Sequence, residues 1–293
     1  MHKSGFVNIV GNPNVGKSTL MNALVGERIS IITSKAQTTR HRILGIVNGD
    51  DFQIVYSDTP GVLKPNYRLQ ESMRKFSNSA LTDADVLLYV TDVFDSNEKN
   101  ADFIEKVNDN PAILILIINK IDLINQEKLE VLVDKWKQLL PRAEIFPVSA
   151  LEKFNITPLF DRIKDLLPES PPFFDKDQLT DKPARFFVNE IIREKILLHY
   201  DKEIPYAVEV VVEQFQEEDR LIRINAVINV ERDSQKGIII GHGGKSLKKV
   251  GTEARKDLEA FFEKKVFLEL YVKVEKDWRN KEIKLRGFGY QLD

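Results

Sequence analysis

The chain has 293 residues, 42% of them hydrophobic and 30% charged, with a formal net charge of −2 and no cysteine. Such a length suits two domains, the apolar fraction excludes a largely disordered chain, and the absence of thiols excludes disulfides and thiolate metal sites. The longest apolar run, "AILILII" from Ala112, falls far short of the ~20 residues a membrane span needs, and the few residues before "GFVNIV" leave no room for a signal peptide, so a cytoplasmic or peripheral protein is expected.

Through residue 167, short β-branched runs alternate with longer amphipathic ones. "FVNIV", "ILGIV", "FQIVYSD", "DVLLYVTD", "AILILIIN" and "EIFPVSA" read as strands, separated mostly by helices. That order predicts a doubly wound α/β domain, and the continuous apolar runs predict a mostly parallel sheet covered on both faces. Ligands then belong at the carboxyl ends of the strands.

The first strand runs into "GNPNVGKST" (Gly11, Asn12, Pro13, Asn14, Val15, Gly16, Lys17, Ser18, Thr19), a G-x-x-x-x-G-K-[ST] loop opening a helix. This is the context its mechanism requires: backbone N–H groups wrap phosphates, Lys17 reaches the β and γ phosphates, and the Ser18 hydroxyl ligates Mg2+. The polar segment "KAQTTRHR" at 35–42 offers a second hydroxyl for Mg2+, from Thr39 or from Thr38. "DTPG" ends the third strand, setting Asp58 near the metal and the Gly61 N–H near a γ-phosphate. Segments 35–42 and 59–70 are therefore the expected switches. Val62 follows, where many GTPases keep a glutamine that orients water, and an aliphatic side chain cannot do so.

"NKID" (Asn119, Lys120, Asp122) follows the strand from Ala112. A carboxylate there accepts from guanine N1–H and the 2-amino group, a donor pair adenine lacks. "SAL" (Ser149, Ala150, Leu151) follows the last strand, where the Ala150 N–H is expected to donate to guanine O6. Alone, "NKID" is an ordinary strand end; after a P-loop and "DTPG" it specifies GTP and GDP.

"PESPPFFDKDQLTDKP", residues 168–183, carries four prolines and reads as a semi-extended linker between a domain at 1–167 and another at 184–293. Beyond it the order is helix, strand, strand, helix, helix, strand. "GHGG" (Gly241, His242, Gly243, Gly244) joins the two central helices, and Lys245, Lys248 and Lys249 follow. From Lys236 to Lys256 there are six Lys/Arg against one acid, Glu253. A G-x-x-G loop alone is commonly a helix C-cap, but within this order and beside these lysines it predicts a smaller α+β domain, a type II KH domain holding about four unstacked nucleotides. Trp278 is expected to pack beneath the basic tail.

"GNPNVGKST", "KAQTTRHR" and "DTPGV", followed by the KH plan, resemble the Era family of GTPases over nearly the whole chain. The resemblance implies slow GTP hydrolysis with Mg2+, K+ held with the help of Asn14, and a monomer that binds the 3′ end of 16S rRNA and assists small ribosomal subunit assembly. It also implies peripheral membrane association, which no long basic amphipathic stretch supports. A binding protein with a structural GTP site is the competing class.

Overall fold

The computed structural model describes residues 1–94 and 101–290. Two compact units divide the chain, one of Met1–Asn66 and Gln70–Asp181, the other of Tyr67–Leu69 and Lys182–Asp293.

The first unit is a six-stranded sheet of order β2-β3-β1-β4-β5-β6, from β1 (Lys3–Gly11), β2 (Ile43–Asn48), β3 (Phe52–Asp58), β4 (Val86–Asp92), β5 (Ile113–Asn119) and β6 (Glu144–Pro147). Only β2 runs antiparallel, against β3. Every β4 residue is buried, as expected of a strand covered on both faces. The helices are α1 (Lys17–Val25), α2 (Arg68–Ser79), α3 (Ala101–Asn108), α4 (Gln126–Leu139) and α5 (Ile156–Leu166). The α4 side chain Trp136 is buried, its ring 5.7 Å from Tyr89 of β4. Register brings the motifs to one edge: Ile9 sits opposite Asp58, and Asp92 opposite Asn119.

The stretch expected as a semi-extended linker is bonded to the first unit over most of its length. Residues 168–181 lie along the first unit, with the Ser4 N–H bonded to the Pro168 carbonyl at 3.1 Å and the Ile46 N–H to the Leu179 carbonyl at 2.8 Å. The buried Gln53 amide accepts from the Phe173 and Phe174 N–H groups at 2.7 and 3.0 Å and donates to the Phe174 carbonyl at 2.8 Å. Asp181 closes the strap, its carboxylate accepting the Leu44 N–H at 2.9 Å. The bonds to the Leu44 and Ile46 N–H groups satisfy backbone donors that edge strand β2 would otherwise expose. The first unit therefore extends to 181 and not to 167.

The second unit contains α6 (Ala184–His199), β7 (Glu209–Glu217), β8 (Leu221–Val230), α7 (Asp233–Ile240), α8 (Lys245–Phe262) and β9 (Lys265–Val274), the expected α-β-β-α-α-β order. Its sheet has the order β7-β8-β9, antiparallel then parallel. Ile222, Ile224, Ala226 and Ile228 alternate along β8 toward a core shared with Ile192 and Ile196 of α6 and Val250, Ala254 and Leu258 of α8. Each Ile, Val or Leu side chain among them, fully buried, contributes about 1.5–3 kcal/mol. Trp278 is fully buried and donates to the Ala207 carbonyl at 3.0 Å, with α9 (Glu282–Gly287) beyond it. Among the described residues no helix is long and apolar enough to cross a membrane.

Candidate nucleotide and nucleic-acid sites

At the carboxyl edge of the large sheet a cavity of about 520 Å³ is lined by Pro13, Asn14, Gly16, Lys17, Ser18, Thr19, Thr38, Thr39, Gly61, Asn119, Lys120, Asp122, Ser149 and Leu151, besides residues 31–35 and Gln37. Residues from all five motifs thus meet in one place. Lys17 is buried, its ammonium donating to the Gly11 and Asn12 carbonyls at 3.1 and 2.7 Å across the mouth of the loop.

Beneath the loop, Ser18 Oγ donates to Asp58 Oδ2 at 2.7 Å and lies 2.9 Å from Thr39 Oγ1, which donates to the same carboxylate oxygen at 3.4 Å. Thr38 is turned away, its hydroxyl donating to the Lys35 carbonyl at 2.6 Å and lying 2.6 Å from the Thr33 hydroxyl. Of the two threonines the sequence leaves open, Thr39 is the one beside Ser18 and Asp58.

Asp58 has no exposed surface, and its Oδ1 has no hydrogen-bond partner. Burial pushes its carboxyl above the ordinary range, against the opposing pull of the Ser18 hydroxyl and the Lys17 charge. A buried carboxylate with a free oxygen, set against two hydroxyls, is an all-oxygen donor set of the kind Mg2+ prefers, and a bound cation offsets the cost of burying the anion. The residues present fit Mg2+.

On the base side, Asn119 Nδ2 donates to the Val15 carbonyl at 2.9 Å, and its Oδ1 accepts from the Lys120 and Ala150 N–H groups at 2.9 and 3.0 Å. The Ala150 N–H, expected to face guanine O6, is in this structure given to Asn119. Ala150 itself is buried behind the cavity wall. Asp122 is exposed in a short 3-10 turn, 121–123, on the cavity wall, while Ser149 is buried and Leu151 exposed.

Sequence reasoning missed Asp92. Its carboxylate at the end of β4 takes the Lys120 ammonium at 2.5 Å, and that ammonium also donates to the Asn14 carbonyl at 2.6 Å, joining three loops. The signal was its place at the tip of a strand beside β1.

Val62, which cannot orient water, is 5% exposed and packed with Val10, Leu87 and Tyr89 in the core.

In the second unit Gly241, Gly243 and Gly244 all take positive φ, 70°, 57° and 76°, so the turn between α7 and α8 is built from backbone with no side chain but that of His242. His242 is exposed. A groove of about 360 Å³ lies alongside, lined by Gly244, Leu247, Lys248, Gly251, Thr252 and Arg255 of the loop and α8, and by Leu268 and Leu270 of β9. Helical spacing explains it: Leu247, Gly251 and Arg255 recur every four residues on one face, while Val250, Ala254 and Leu258 form the buried stripe. A β-carbon on Gly251 would stand 3.3 Å from Leu270 Cδ1, so glycine keeps the groove open. Of the predicted lysines only Lys248 lines it. Lys245 and Lys249 are exposed outside the lining. The lining side chains other than Gly244 and Lys248 were not picked out from sequence.

A phosphate-binding loop, a buried Asp-Ser-Thr cation site and a base-side "NKID" turn on a mostly parallel sheet define a P-loop GTPase, here followed in the same chain by a KH fold. Family models agree by segment, "50S ribosome-binding GTPase" over residues 6–120 and "KH domain" over 203–279. The chain is 48% identical to the GTPase Era of Syntrophus aciditrophicus over 99% of its length and 96% of that protein's, and 44% identical to the GTPase Era of Staphylococcus haemolyticus over 100% and 98%. It is also similar to solved Era structures, one in complex with MgGDPNP and nucleotides 1506–1542 of 16S ribosomal RNA (TM-score 0.94, 38% identity, all of both chains) and one of a point variant of Aquifex aeolicus Era bound to GDP·AlF4− (TM-score 0.94, 38% identity, 99% and 100%). The chain belongs to the Era family of GTPases, enzymes that hydrolyse GTP.

Proposed function

We propose that this protein is a GTP-hydrolysing switch in the cytoplasm whose KH groove binds the single-stranded 3′ end of 16S rRNA during assembly of the small ribosomal subunit. The observation that carries the reading is the pairing, in one chain, of the Asp58-Ser18-Thr39 cluster under a P-loop with a G-x-x-G groove lined by Lys248 and Arg255. Full-length identity to Era proteins, one of them solved with a 16S rRNA segment, supports it.

In this reading the backbone N–H groups of residues 14–18 hold the phosphates, and Lys17 exchanges its two carbonyl partners for the β and γ phosphates. Ser18, Thr39 and Asp58 hold Mg2+, which neutralises charge on the phosphate oxygens. Thr39, already beside Ser18 and Asp58, would complete the Mg2+ shell with GTP bound, and the Gly61 N–H reports the γ-phosphate to segment 59–70. Asp122 accepts from guanine, with Asn119 fixing the turn that carries it. Binding of guanine O6 requires the Ala150 N–H to leave Asn119 or be shared with it.

With Val62 packed in the core, water positioning and charge come from elsewhere. The exposed Asn14, whose carbonyl is fixed by Lys120, supplies an amide oxygen for K+ beside the phosphates. The test is phosphate release by the full chain under multiple turnover, in KCl and NaCl at equal ionic strength. Slow turnover stimulated by K+ is expected, and Asn14→Ala should remove the difference. No turnover beyond one equivalent, in either salt and with small subunits present, would make the site structural and overturn the switch.

A further inference from the structure

We propose that the solvent face of the three-stranded sheet is a second RNA platform, continuing the strand held in the G-x-x-G groove around β9. The proposal rests on the groove reading above and extends it from the G-x-x-G loop to the opposite face of the KH sheet.

The two sides of β9 differ in a regular way. Leu268 and Leu270 point inward and line the groove, so Phe267, Glu269 and Tyr271 point to the opposite face. A large aromatic side chain on a soluble sheet is normally covered, yet Phe267 is 46% and Tyr271 56% exposed. The two rings stand four residues apart on one face, about 13 Å at the rise of a strand. Exposed Lys265 and Lys273 bracket them on the same face.

Neighbouring strands supply polar groups suited to bases. The register sets Arg223 of β8 beside Phe267, its guanidinium 5.8 Å from the ring centroid. Asn225 pairs with Glu269 on one side and Gln214 of β7 on the other, so a row of two amides and a carboxylate lies between the rings. The far end is closed, because Tyr290 donates to Glu209 at 2.8 Å and both residues are buried.

Aromatic rings spaced along a strand, amides between them and cations at the ends are the elements with which sheets bind single-stranded RNA: bases stack on rings, amides meet base edges, and lysines meet phosphates. An apolar protein partner would instead need a contiguous apolar patch, which the amide row interrupts. A strand leaving the groove over Leu268 and Leu270 has only to cross the edge of β9 to reach Phe267 and Tyr271.

The experiment titrates the full chain with two RNAs from the 3′ end of 16S rRNA, four and ten nucleotides long. The ten-nucleotide RNA should bind more tightly. Phe267→Ala and Tyr271→Ala should each weaken it by about 5- to 150-fold, the loss of one stacked base, and leave the four-nucleotide RNA unchanged, which also reports an intact fold. Tyr271→Phe, keeping the ring, should restore most of the affinity. Tyr271→Trp gives a direct readout, since Trp136 and Trp278 are buried and only the new indole should be quenched by the longer RNA. Equal affinity for both lengths, wild-type binding by the alanine variants, or equal losses on both RNAs would overturn the platform. A concentration-dependent dimer dispersed by Tyr271→Ala would assign the face to a second copy and overturn it as well. Gly244→Asp separates the two readings: it should abolish four-nucleotide binding, and if it leaves both RNAs unaffected the groove fails, and the continuity with it.

Discussion

The Asn119 side chain donates to the Val15 carbonyl at 2.9 Å, tying the base-side turn to the phosphate loop. Its oxygen meanwhile holds two N–H groups, so one buried amide fixes the relative position of three motifs. Asn119→Ala strands these buried partners, at roughly 1–3 kcal/mol for each group left unsatisfied, some of it recovered by relaxation. We expect a loss of about 2–3 kcal/mol in stability and a large loss of GTP affinity. Gly16→Ala tests the same contact from the other side, because its β-carbon would lie 2.2 Å from Asn119 Nδ2 at a φ of 95°. Urea unfolding and nucleotide titration of both variants check the relationship; unchanged GTP affinity in both would refute it.

Val62 separates packing from chemistry. Its two methyl groups lie in the core, so Val62→Ala should cost about 1–2 kcal/mol of stability. The rate per folded molecule should be unchanged, since no polar group is lost. A thermal melt and a hydrolysis assay on one preparation decide: a normal melt with a lowered rate would mean the side chain serves catalysis.

How far sequence reaches can be seen residue by residue. The six strands and the phosphate loop were legible because β-branched runs and the G-x-x-x-x-G-K-[ST] spacing are local signals. The choice between Thr38 and Thr39 was not, because adjacent hydroxyls in an irregular loop have no periodicity to separate them. The bonding of residues 168–181 to the sheet was not legible for a related reason. Their prolines correctly exclude helix, but bonding to Ile46 of β2 and Gln53 of β3 depends on strands more than a hundred residues away. The Ala150 N–H was assigned to a ligand for want of knowing that Asn119 reaches it. In the KH unit the G-x-x-G loop was legible, while Leu268 and Leu270 were hidden, since strand alternation says which side chains share a face and not what covers it.

Acid stability should report the joint between α8 and β9. Glu259 accepts the Val266 N–H at 3.2 Å and an Arg255 bond at 3.1 Å, and chiefly that backbone bond holds its carboxyl below the ordinary range. A carboxyl depressed in the folded state contributes stability above its unfolded pKa, about 4.3 for glutamate, and loses it as pH falls through the lower folded value. Glu259→Gln should therefore be less stable than wild type at pH 7, with the gap closing below about pH 4. Denaturant midpoints across pH 7 to 3 test this; a gap independent of pH would mean the charge is irrelevant.

Gly251 gives the sharpest test of the groove, because stability and binding should move in opposite directions. It lies inside α8, where alanine stabilises a helix by about 0.5–1 kcal/mol relative to glycine through lost backbone freedom in the unfolded chain. The new β-carbon would stand 3.3 Å from the end of the flexible Leu270 side chain, a contact relieved by a few tenths of an ångström, so most of that gain should survive. The same methyl group occupies the groove floor where a base must lie. Gly251→Ala should thus melt slightly higher than wild type and bind the four-nucleotide RNA more weakly, and Gly251→Leu should lose that RNA altogether. GTP affinity of the isolated protein should not change in either variant, since the nucleotide cavity is built wholly from the first unit. Calorimetry, RNA titration and nucleotide titration on the same samples give the three readings. Wild-type RNA affinity in Gly251→Leu would show that RNA does not enter this groove.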